Sequence, residues 1–111
     1  MSATVKLRET LRQMLAVLDG ERQALAGLDL DAILGLAGDK QRLCASLEQA
    51  GGAALDEDCR AMIAAARRKN EVNRQIRNLI AANVAARIDV LAGNSRLYSP
   101  GGAHSYTVAR A

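Results

Sequence analysis

The sequence predicts an all-α protein, a long antiparallel helical hairpin with a kinked or broken first arm and a flexible C-terminal tail. Three observations predict it. Hydrophobic residues make up 50% of the 111 positions, yet there is no Phe or Trp and there are only 2 Tyr. The apolar surface is therefore aliphatic and suits slender helices rather than a β-sandwich. The only proline is Pro100, so no ring clash or missing donor interrupts a helix before it. Apolar residues recur at helical spacing on both sides of a glycine pair, Gly51-Gly52. The length fits one domain, expected as a helical hairpin over 1–93 and a tail over 94–111.

In the first segment Leu7, Leu11, Met14, Leu18, Leu25 and Leu28 follow alternating steps of four and three, with Glu21 at the one seam position that is not apolar. This is a coiled-coil-like seam. Gly20 costs about 1 kcal/mol relative to alanine in a helix interior, and packing is expected to carry the helix through it. At Gly27-Leu28-Asp29-Leu30-Asp31 the register falters. Either aspartate can cap a fresh start by accepting backbone N–H bonds, so a kink or short break is expected there.

The stripe resumes with Ile33, Leu34, Ala37, Leu43, Cys44 and Leu47 and stops at Gly51-Gly52, where glycine permits a left-handed cap and the hairpin turns. Asp56-Glu57-Asp58 then sets three acids against the positive end of a new helix, expected from about Leu55 to about Ala92. Counted outward from the glycines, Cys44 and Cys59 fall at one height on facing helices. They read first as small buried hydrophobes and second as a redox pair. From Gly93 the sequence GNSRLYSPGGAHSYTVARA has no helical period and reads as a flexible tail.

Projected at about 100° per residue, Val72, Ile76, Leu79, Ile80, Val84, Ile88, Val90 and Leu91 spread over half of the second long helix. One facing helix covers only part of so wide a stripe. The remainder calls for a tail, a second copy or a client helix, unless the broken first arm supplies two packing surfaces. Asn70, Asn73 and Asn83 fall on or beside the face, either buried with hydrogen-bond partners that fix register or solvated at its edge.

Charge and motifs exclude more than they suggest. The net charge of +3 demands neither nucleic acid nor membrane. Arg67-Arg68-Lys69, Arg74 and Arg77 scatter around the helix without interleaved aromatics, so they read as a solvated, salt-bridging surface. Two cysteines and one histidine cannot build a structural zinc site. His104 has no acid in the tail to orient it, and no phosphate-binding loop or isolated carboxylate pair is present. No catalytic residue, metal or cofactor is expected. The N-terminus lacks the apolar run of a signal peptide and no segment approaches a membrane span. A cytoplasmic protein with reduced thiols is the expectation.

Leu18-Asp19-Gly20-Glu21 with Leu25, Lys40 with Leu43, Asn70-Glu71-Val72-Asn73 leading to Ile76 and Leu79-Ile80, and Leu97-Tyr98-Ser99-Pro100-Gly101-Gly102 stand in one order along the chain. In order and spacing the sequence resembles the FlgN family of flagellar type III export chaperones. The resemblance implies a cytoplasmic chaperone that binds the C-terminal amphipathic helices of the hook-associated proteins FlgK and FlgL. It holds them unassembled until the export apparatus accepts them. It places client contact on Asn70, Asn73, Ile76, Leu79, Ile80, Val84, Ile88 and Leu91, and docking on the export gate FlhA at Tyr98. Ser99 and Gly101 depart from the small-Pro-acid-Gly pattern usual after that tyrosine. Two rival readings stand beside it: a chaperone of another secretion substrate, and a homodimeric coiled-coil adaptor whose wide stripe pairs with its own copy. The expected state is a monomer or weak homodimer.

Overall fold

A computed structural model describes residues 2–50 and 55–96. The described residues are helical, with no strand among them: α1 (Ala3–Ala26), α2 (Leu30–Gln49) and α3 (Glu57–Arg96). They fall into two compact units divided between Ile76 and Arg77. The first holds α1, α2 and the start of α3; the second holds the rest of α3.

Helix α1 begins at Ser2, whose side chain accepts from the Val5 amide at 3.2 Å, satisfying one of the orphan donors of a helix start. It runs unbroken through Gly20, as expected. The seam is the buried face: Leu7, Leu11, Met14, Leu18, Glu21 and Leu25 are all buried, Glu21 included.

The expected break is real and larger than a kink. The Asp29 amide bonds back to the Ala24 carbonyl at 2.9 Å and the Leu28 amide to that of Leu25 at 3.2 Å, the paired closure of a Schellman turn. Leu28, not the neighbouring Gly27, takes the left-handed conformation, with φ 52°. It is exposed, which corrects its place in the buried seam. Asp29 then caps α2 by accepting from the Ala32 amide at 3.2 Å.

The chain reverses at this turn, and the first arm becomes two helices lying on each other. Leu7 clusters with Ala50, Met14 with Leu43, and Leu36 packs over Gly20, pairings whose sequence separation shrinks toward Leu28 as an antiparallel pair requires. α1 and α3 run parallel instead: Arg8 pairs with Asp56, Asp19 with Lys69, and the Leu18 carbonyl with Asn73, all about 50 residues apart. The first unit is thus a three-helix arrangement with α2 antiparallel to both neighbours.

The α2 stripe needs a correction for the same reason. Leu34, Ala37 and Cys44 are exposed, while the inward positions are Ile33, Leu36, Lys40, Leu43, Leu47 and Ala50, steps of three and four. Lys40 interrupts this row as a sequence pattern because it is charged, although it points inward. The glycine pair of the expected turn lies outside the described residues.

Two apolar clusters fill the unit. Leu7, Leu11 and Cys59 form one, with Leu47, Ala50, Met62 and Ile63 against them. Met14, Leu18 and Leu43 form the other, with Val17, Leu47 and Ala66. Cys59 is buried and Cys44 exposed, so the thiols are not facing neighbours. Lys40 sets the register by bonding Asn70; one turn on, Cys44 lies level with Ala66, about 10 Å of helix rise from Cys59.

Asp56 opens α3. It accepts from the Cys59 amide at 2.8 Å and pairs with Arg8. Those hydrogen bonds, the amide first, hold its carboxyl at about 2, while burial pushes the Cys59 thiol up. The helix starts two residues later than expected and continues to Arg96, past the expected 93/94 boundary. The remaining expected tail residues lie outside the described residues.

Candidate partner-binding surface

Two sets of residues at the expected client face have different fates. The first set closes a polar layer inside the three-helix unit, with one seam position from each helix. Glu21 of α1 and Asn73 of α3 are buried, and Lys40 of α2 is half-buried. The Asn73 amide nitrogen donates to Glu21 Oε1 at 2.8 Å and to the Leu18 carbonyl at 2.9 Å. Lys40 Nζ donates to Glu21 Oε1 at 3.4 Å and to Asn70 Oδ1. Both groups facing the Asn73 nitrogen are acceptors, which dictates the orientation of its amide.

A buried carboxylate is costly unless paired and hydrogen-bonded. The layer therefore favours one axial register, because sliding α3 by one turn takes the Asn73 donor away from Glu21. Asn73 is 1% exposed, its amide nitrogen held in this layer and its Oδ1 buried without a hydrogen-bond partner. Asn70, exposed, holds Lys40. Ile76 is half-buried at the end of the first unit.

The second set lies in the second unit. From Arg77 to Gly93 no residue is buried, and every residue from Ala81 to Ile88 is exposed. Leu79 is 65% exposed, Val84 51%, Ile88 58%, Val90 64% and Leu91 70%, with Ile80 half-exposed. At the helical angle these side chains occupy one half of the circumference. The opposite half is Ala81, Ala82, Ala85, Ala86 and Ala92 with Asn78 and Asp89. Asn83 and Arg87 are exposed within the aliphatic half, between Ile80 and Val90, and half-buried Arg77 lies between Val84 and Ile88. Single exposed leucines need no explanation; several on one side of a helix set this stretch apart from the packed region before Ile76.

The sequence did not foresee a smaller apolar patch at the α1–α2 turn, where Leu28, Leu30 and Leu34 are also exposed. The left-handed Leu28 is what takes the first of these out of the seam, and no residue pattern announces that conformation. The basic residues behave as a salt-bridging surface where their partners are defined: Lys69 meets Asp19 at 2.8 Å and Arg74 meets Glu71 at 2.6 Å. Among the described residues no group of three His, Cys, Asp or Glu side chains could hold a metal. No helix there is long and apolar enough to cross a membrane. Tyr98 and His104 lie outside the described residues.

Comparison with protein-family models, with curated proteins and with solved structures finds no match to this chain.

Proposed function

We propose that the protein is a cytoplasmic export chaperone of the FlgN type, which holds an amphipathic client helix on the aliphatic half of α3 between Leu79 and Leu91. The observation that carries the reading is the exposure of Leu79, Val84, Ile88 and Leu91 along one side of a helix whose other side is mostly alanine with Asn78 and Asp89. A helix laid along that stripe buries its own apolar face against it. Each aliphatic side chain so covered contributes roughly 1.5–3 kcal/mol before ordering costs, enough for reversible capture.

The clients in this reading are the C-terminal helices of FlgK and FlgL, and Tyr98 docks the loaded chaperone on FlhA. Both assignments rest on the sequence resemblance. Val84→Glu or Ile80→Glu abolishes binding of a hook-associated protein in titration calorimetry while circular-dichroism helicity stays nearly intact; unchanged affinity removes this face from the mechanism. Tyr98→Ala keeps client affinity and lowers client export into the medium. Normal export makes Tyr98 a mere tail residue.

A further inference from the structure

Along the second unit Arg77 and Ile80 are half-buried and Val84, Ile88 and Leu91 exposed, and their spacing carries one more inference. Arg77, Ile80, Val84, Ile88 and Leu91 lie within about 80° of arc at the helical angle. Their offsets from Val84 are seven and four residues on either side. The row is therefore a palindrome centred on Val84. A two-fold axis through Val84 that sets two copies of this helix antiparallel matches the row to itself, as an isologous interface demands. Val84 then meets Val84 of the second copy, Ile80 meets Ile88, and Leu91 lies beside the aliphatic stem of Arg77.

Charge selects the antiparallel direction. A parallel pair sets Arg77 against Arg77 and Arg87 against Arg87, whereas the antiparallel pair sets Arg87 against the small Ala81 and opposes the helix dipoles. Area sets the strength. Four aliphatic side chains from each copy, already partly covered by their own helix, remove roughly 500 Å² of apolar surface from water, short of the roughly 1,000 Å² of a stable specific interface. Such a contact is weak and readily displaced.

We infer that the free protein pairs with a second copy of itself through this row, antiparallel and centred on Val84, so that client capture competes with self-association. The competition rests on the client reading above; the pairing does not. The test uses the full chain carrying Cys44→Ser, which removes the exposed native thiol. Under mild oxidation Val84→Cys should give disulfide-linked dimer at least tenfold more efficiently than Ala82→Cys, at nearly the same height on the opposite side. Ile80→Cys mixed with Ile88→Cys should link better than either variant alone. The Val84→Cys yield should fall on dilution.

Equal yields at Val84 and Ala82, or Ile80 and Ile88 each linking alone as well as Val84 does, overturn the antiparallel pair. So does a monomer mass in light scattering at every concentration, which is also the result if another segment of the same chain covers the row. A synthetic C-terminal helix of a hook-associated protein should lower the Val84→Cys yield. A link that forms and is untouched by that peptide supports the pairing and overturns the client reading alone.

Discussion

α3 is one helix in two environments. Before Ile76 its inward positions, Cys59, Met62, Ile63, Ala66 and Asn73, are packed or bonded against α1 and α2. From Arg77 onward equally aliphatic positions have no buried member among the described residues. In the first region packing and a polar layer decide which residues matter. In the second, a run such as Ala81-Ala82-Asn83-Val84-Ala85-Ala86 is favoured as helix by alanine's propensity, with no buried side chain from Arg77 to Gly93. An apolar stripe by itself does not tell a core from a docking surface; the presence of a facing seam does.

The largest effect expected from this contrast comes from one truncation made in both regions. Leu11 is 1% exposed and Leu91 70% exposed. Leu11→Ala should cost about 2–5 kcal/mol, by lost transfer and a residual cavity. Leu91→Ala should stay within about 0.5 kcal/mol. Urea denaturation of both variants checks it, and comparable losses would mean that the second region has a stabilising partner.

The polar layer gives the next largest. Asn73→Ala leaves the buried Glu21 carboxylate short of a donor and should cost about 2–3 kcal/mol. In the Glu21→Leu background the same change should cost less, because the buried carboxylate that Asn73 serves is gone. A double-mutant cycle measures the difference. Additive losses would show that the Asn73–Glu21 bond does not set the register.

How far the sequence revealed this arrangement differs by element. The α1 seam was legible down to Glu21, because a 3–4 repeat survives one polar member. The break at Gly27–Asp31 was legible as a break but not as a reversal: the αL residue is Leu28, and nothing in a leucine announces a positive φ. The α2 face was misread because Lys40 is charged, and only the partner positions Glu21 and Asn70 explain its inward aim. The aliphatic half of α3 could be projected from sequence alone. Which part of it was already covered could not, since that depends on where α1 and α2 end.

At the opposite end of the first region, Asp56 ties α3 to α1. Its carboxyl sits at about 2 against an ordinary 3.8, so the folded form favours the carboxylate. The stability it contributes is fully present above about pH 4 and is lost as the pH falls toward 2. Asp56→Asn should flatten the stability-against-pH profile in that window, with Asn retaining part of the capping role. Helicity of the second region, which lies outside the unit where Asp56 holds Arg8 and the Cys59 amide, should not follow the same curve. Parallel acid titration of local helicity in both regions, read by hydrogen exchange or NMR, would merge them into one cooperative body and break the contrast.

The smallest effect comes from a single methyl group, moved in opposite directions in the two regions. A Cβ on Gly20 would meet the Leu36 side chain at 3.4 Å, close to ordinary contact and against the flexible end of a leucine. Gly20→Ala therefore gains helix propensity without a clash and should raise global stability by up to about 1 kcal/mol. Ala82→Gly loses a similar amount of propensity on an exposed stretch. Its effect should appear as faster amide exchange around residue 82 with an unchanged melting temperature, because local opening there is not coupled to unfolding of the packed region. A shift in melting temperature for Ala82→Gly as large as that for Gly20→Ala would show that the second half of α3 shares the stability of the first.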